Sequence, residues 1–158
     1  MLIFMTAVVG LGLLAAGRDS RANEANKPDF TGTWELNVNK SRFGSMPKPS
    51  RMTLEASRKG DVLHSVQTSY DAQAGGPNAV EGEWYLDGQE RPIGTDGKMI
   101  GLSRWEANTL VSMRRSADNS MKETIRLTMS GDGKTATEEI VTKSPNGQNK
   151  AKLIWERR

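Results

Sequence analysis

The sequence predicts an all-β protein: one domain built as a single antiparallel up-and-down β-barrel, with a two-sheet β-sandwich as the alternative. Three observations carry this. Beyond Pro28, apolar residues recur at every second position, the period of a half-buried strand. Turn dipeptides separate these runs at short intervals: Lys59-Gly60, Asp87-Gly88, Asp96-Gly97, Asp132-Gly133 and Asn146-Gly147. Past the N-terminal apolar run, no segment sustains the 3.6-residue period of an amphipathic helix. A sheet with one apolar face and no helix to cover it hides that face, and its edges, by closing on itself.

The elements follow in order. Phe30, Gly32, Trp34, Leu36 and Val38 share one face of the first strand. Asn39 to Ser50, with Pro47, Pro49 and Gly44, breaks the alternation and reads as a long loop with a helical turn near Lys40–Phe43. Met52, Leu54 and Ala56 line one face of the second strand. In the third, Asp61 to Tyr70, the apolar side is read as Val62, His64, Val66, Thr68 and Tyr70. Asp71 to Asn78 reads as a flexible loop, and Val80, Gly82, Trp84 and Leu86 as one face of the fourth strand. Lys98–Trp105 and Thr109–Ser116 pair around Glu106-Ala107-Asn108. Met121–Met129, Thr135–Lys143 and Gln148–Glu156 complete a set of about nine strands in sequential hairpins. A sandwich usually needs Greek-key crossings, whereas this order reads as a meander.

Residues 1–17 carry no charged side chain and form an apolar, glycine-spotted run ending Ala15-Ala16-Gly17. This is short for a membrane span and fits a signal peptide cut after small residues; an N-terminal anchor is the alternative, because no Lys or Arg precedes the run. Residues 18–28 read as a disordered linker and 29–158 as the folded domain. The expected compartment is therefore secreted or periplasmic. The 158 residues include no cysteine, which excludes disulfides, thiolate metal sites and cysteine nucleophiles. The net charge of +3 is scattered, with no basic stripe of the kind nucleic-acid binders carry, and the mean hydropathy is negative. Neither a nucleic-acid partner nor a membrane role beyond the leader is expected, and the oligomeric state is open.

The run Asp29-Phe30-Thr31-Gly32-Thr33-Trp34-Glu35-Leu36-Asn37 resembles the opening strand of lipocalin-like proteins, where Gly-x-Trp closes one end of the barrel. Asn39-Lys40-Ser41-Arg42-Phe43-Gly44, Trp84-Tyr85-Leu86-Asp87-Gly88, Ser103-Arg104-Trp105-Glu106, Asp132-Gly133-Lys134-Thr135 and Ser144-Pro145-Asn146-Gly147 are similar, in the same order, to a group of small secreted bacterial lipocalin-like (calycin-type) proteins of undefined function. The resemblance covers nearly the whole chain after the leader. It implies a barrel, a small apolar guest inside it, and an arginine packed over the closing tryptophan, for which Arg157 is the nearest candidate.

Candidate chemistry is sparse. His64 is the only histidine, and a lone strand histidine more often packs or sits at a rim than ligates or catalyses. Trp34, Trp84, Trp105 and Trp155 can wall a pocket or simply fill a tapering core, and the methionines suit either use. Glu81 and Glu83 share a face that looks solvated, while Glu138 and Glu139 point to opposite faces, so neither pair forms a hydrolytic dyad. No nucleophile elbow, phosphate loop or calcium loop is present. No cofactor or metal is expected, and a catalytic role is less favoured than a binding one. The expected ligand-binding residues are Leu36, Leu54, His64, Val66, Tyr70, Trp84 and Leu127. The competing reading is a non-catalytic structural or interaction domain with a filled core.

Overall fold

A computed structural model describes residues 27–71, 76–94 and 97–158; the expected signal peptide and most of the expected linker lie outside these. The described residues form ten strands and no helix: β1 (Gly32–Leu36), β2 (Arg51–Lys59), β3 (Val62–Asp71), β4 (Gly76–Tyr85), β5 (Arg91–Ile93), β6 (Met99–Glu106), β7 (Thr109–Ser116), β8 (Lys122–Met129), β9 (Thr135–Ser144) and β10 (Gly147–Arg157). Their order in the single sheet is β4-β3-β2-β1-β10-β9-β8-β7-β6-β5, with every neighbouring pair antiparallel. The meander therefore closes where β1 meets β10. The chain-adjacent strands β4 and β5 stand at the two ends of the sheet, leaving a seam between them in a nearly closed barrel. Chain beyond that seam ties across it, where Gly88 N–H donates to the Ser103 carbonyl at 2.9 Å.

The tenth strand was not expected. β5 is three residues long and contains Pro92, which cannot donate to a ladder and so belongs at an edge, where the sheet puts it. β3 and β4 also run further than the alternation indicated, through Asp71 and from Gly76, so the expected Asp71–Asn78 loop shrinks to the residues between them.

The register fixes which parity faces inward. Trp34 sits opposite Leu54 on one side and Arg157 on the other, Leu36 opposite Trp155, and Trp155 opposite Ala136. Leu127 pairs with both Leu110 and Glu138. Trp34, Trp155 and Leu110 are almost fully buried and anchor the core with Phe30, Leu63, Leu86, Ile125 and Leu153. The buried indole of Trp34 keeps its polar atom satisfied by donating from Nε1 to the Phe30 carbonyl at 2.9 Å.

Around that tryptophan one end of the barrel is locked. The Arg157 guanidinium lies 4.3 Å from the Trp34 ring centre. It donates to three carbonyls: Gly133 at 2.9 Å, Thr31 at 2.6 Å and Asp29 at 2.7 Å. One side chain thus ties the entry to β1, the β8–β9 turn and the end of β10. Gly32, with φ at +111°, brings the backbone to where an added Cβ would sit 3.0 Å from the Arg157 Nη1. Lys27, placed in the linker by the sequence, donates to the Ala107 carbonyl at 2.8 Å and lies 5.9 Å from the centre of the Trp105 ring.

The loop between β1 and β2 packs over the barrel instead of leaving it. It opens with a turn in which Lys40 and Ser41 N–H both donate to the Asn37 carbonyl. Arg42 then forms an isolated antiparallel bridge with Lys152, and Val38, Phe43 and Met46 pack onto the core. Gly44 makes this approach possible: a Cβ there would lie 2.2 Å from the Asn149 side-chain oxygen and 2.4 Å from the Lys150 carbonyl.

The third strand corrects the sequence reading. Leu63, Ser65 and Gln67 face the interior, and His64, Val66 and Tyr70 face out. Val66 is 36% exposed; the His64 ring pairs with Glu83 at 3.2 Å; Tyr70 lies under the Arg51 guanidinium, 5.2 Å from ring centre to carbon. Val66 and Tyr70 thus sit on the outer face, Tyr70 covered by Arg51, while two of the three inward residues, Ser65 and Gln67, are polar.

Candidate functional site

The inward residues of β2, β3, β4, β8, β9 and β10 leave a central cavity of about 60 Å³. That is room for a few waters, or for a comparably small guest. Its walls are mostly apolar. Leu54 and Ala56 come from β2, Leu63 and Trp84 from the paired β3 and β4, and Leu127, Ala136 and Trp155 from the far side. Phe30 and Trp34 close it from the locked end. Three polar side chains enter it: Ser65, Gln67 and Glu138.

Glu138 is the unusual one. On β9 it alternates with Ala136 and Ile140, both buried, so strand parity places a carboxyl group among core residues. What remains accessible of it faces the cavity. Trp155 Nε1 donates to its Oε2 at 2.8 Å, and among the described residues its other oxygen has no hydrogen-bond partner and no cation within ion-pair distance. Burial pushes its pKa above the ordinary carboxylate value; the indole hydrogen bond and the charge of Arg114 pull weakly the other way, and Glu123 adds to the rise.

A second polar group stands beside it. Arg114 and Glu123 face each other across β7 and β8, with Nη1 and Oε1 3.7 Å apart, and the guanidinium lies 4.8 Å from the Trp84 ring centre. The arginine is therefore charge-balanced and stacked before any guest arrives. Next to it, Ser103 and Ser112 are buried and satisfy each other, Ser103 Oγ donating to Ser112 Oγ at 3.1 Å.

Of the residues expected to bind a guest, Leu54, Trp84 and Leu127 line the cavity. Leu36 is buried one register step away, opposite Trp155, and takes part in the core instead of the cavity wall. His64, Val66 and Tyr70 lie on the outer face of β3 and do not line it. The His64–Glu83 pair is exposed on both sides, 42% and 48%, so the imidazole sits at the surface and not in the cleft that acid–base catalysis would use. The sequence reading missed Ser65, Gln67, Glu138, Arg114 and Glu123 as interior groups. A signal for Glu138 was present: it shares strand parity with Ala136 and Ile140. Among the described residues, no three His, Asp or Glu side chains gather in a way that could hold a metal ion.

No family model matches this sequence, and no curated protein matches it. Solved structures do match its shape. The fatty-acid-binding protein 1 of Echinococcus granulosus superposes with a TM-score of 0.57 at 12% identity, covering 81% of this chain and 96% of that one. The fold is a fatty-acid-binding-protein-like barrel. The zebrafish ileal bile-acid-binding protein, solved with cholic acid, gives 0.54 at 16% identity over 82% of this chain and 98% of its own. A secretory abundant heat soluble protein of Ramazzottius varieornatus gives 0.57 at 15% over 84% and 96%. At these identities the likeness is one of fold.

Proposed function

We propose that this protein is an exported carrier or sensor that holds a small, mainly apolar molecule inside the barrel. The observation that carries the reading is the cavity itself: apolar walls from most of the sheet around a few inward polar groups, the usual composition of a small-molecule site. Two of its structural neighbours are named for the fatty acids or bile acids they bind in the same kind of barrel, and this supports the reading by analogy of fold. Export is supported by the uncharged apolar run of residues 1–17.

The volume limits the guest. About 60 Å³ is small beside the several hundred Å³ of typical ligand sites, so a long-chain lipid requires the barrel to open, and a compact guest does not. The same volume favours a second reading, a structural domain with a nearly filled core. Native mass spectrometry of the protein isolated from its own host separates the two. A discrete added mass, lost in a Leu127→Trp variant that fills the cavity, supports the carrier reading. Spectra showing only the bare chain in repeated preparations, together with no quenching of tryptophan fluorescence by small apolar probes, overturn it.

A further inference from the structure

Glu138 tells against a simple apolar container. A carboxyl group at the wall of a mostly apolar cavity costs stability unless something pairs with it. Its one hydrogen bond, from Trp155, satisfies one oxygen, and the second is left facing open space. The cation whose charge reaches it, Arg114, is held by Glu123 and by the Trp84 ring. An anionic guest would meet an arginine already paired and stacked, and a carboxyl group that offers no positive charge. A guest with an ammonium would meet the open oxygen of Glu138, a carboxyl group that can ionise to pair with it, beside the aromatic walls of Trp84 and Trp155, which also favour a cation.

We propose that the cavity takes a small organic amine, its ammonium on the open oxygen of Glu138 and its apolar body against Leu54, Leu127 and Trp84. The inference rests on the reading of the barrel as a small-molecule carrier and names the chemistry of its guest. It also carries a proton balance. In the empty barrel burial favours the protonated acid. An amine that arrives as ammonium favours the ionised form of Glu138, so its binding is linked to release of protons from that carboxyl group to solvent. The charged and titratable groups around this site are Arg114 from β7 and Glu123 from β8, with the neutral Trp155 from β10 and Gln67 from β3.

The test uses the whole protein and three probes of matched size: n-butylamine, 1-butanol and butyrate. Titration calorimetry at neutral pH in two buffers of different ionisation enthalpy reads affinity and proton release together. The expected result is that the amine binds about tenfold or more tightly than the alcohol, as a charge-assisted hydrogen bond implies. Butyrate binds weakest, and only the amine shows a buffer-dependent heat of proton release. In Glu138→Gln the ratio of amine to alcohol affinity falls to about one. The inference is overturned if the alcohol binds and the amine binds no better, or if the preference persists in Glu138→Gln; in either case the carrier reading stands. If none of the three probes binds, the carrier reading falls with it. The heat of proton release is measured on the unaltered protein, so the inference stays testable even where the substitution disturbs folding.

Discussion

Arg157 is where a single substitution tests the locked end of the barrel most directly. Arg157→Ala removes a guanidinium that donates to the carbonyls of Gly133, Thr31 and Asp29 and covers the Trp34 ring. The bond to Asp29 is exposed, and water replaces it at little cost. The bonds to Gly133 and Thr31 are partly buried and contribute about 1–1.5 kcal/mol each. The cation over the indole adds about 0.5–1 kcal/mol. The expected loss is about 3 kcal/mol, a large fraction of a typical domain's stability. Urea unfolding followed by the fluorescence of the four tryptophans measures it, with the midpoint falling and the slope unchanged. Arg157→Lys recovers only about 1 kcal/mol, because an ammonium cannot fork across three carbonyls and stack at the same time. A loss below about 1 kcal/mol for alanine, or a lysine variant as stable as the original, would falsify the view that this side chain joins three chain segments instead of decorating one.

The other predictions concern the interior and the corrected strand. Glu138 has its folded-state pKa raised by burial, so the folded protein holds its proton more tightly than the unfolded chain does; stability is full below the ordinary carboxylate pKa and declines as pH rises toward the folded value. Glu138→Gln is expected to abolish that decline and to stabilise the protein as pH rises past the ordinary carboxylate range, which thermal unfolding across a pH series reads; an unchanged slope would count against a carboxyl group whose pKa the cavity wall raises. Leu127→Ala is expected to destabilise by about 2–5 kcal/mol and to enlarge the cavity, so that probes bulkier than the native space quench tryptophan fluorescence in the variant alone. Val66→Asp, on the outer face of β3, is expected to change stability by less than about 0.5–1 kcal/mol in urea unfolding. A loss near that of Leu127→Ala would mean that the other parity of β3 faces inward.

That last contrast marks the limit of what alternation can reveal. Most strands were legible because polarity and burial agree along them: Trp34 and Leu36 on β1, Leu54 and Ala56 on β2, and Ile125 and Leu127 on β8 are both the oily residues and the inward ones. On β3 they disagree. Its inward residues include Ser65 and Gln67, and its outward ones include Val62, Val66 and Tyr70, so a rule that equates oily with inward selects the wrong parity. The neighbouring strand held the correction. Trp84 is an expected interior residue and Gly82 shares its face of β4, and in an antiparallel hairpin every residue opposite an inward one is also inward, which makes Leu63 and Ser65 the interior pair. Using that constraint requires the register. The stretch from Asp71 to Asn78 contains the turn dipeptide Gly75-Gly76, but Pro77 follows it and the stretch reads as a longer loop, so both parities are compatible with the sequence. On β9 the register was readable, since Asn146-Gly147 marks the turn to β10 and Ala136 and Ile140 mark the face. There the ionisable residue of the inward parity is Glu138. A polar group that breaks an otherwise consistent core face is where a functional constraint is expected to override packing, and the cavity opens beside that residue.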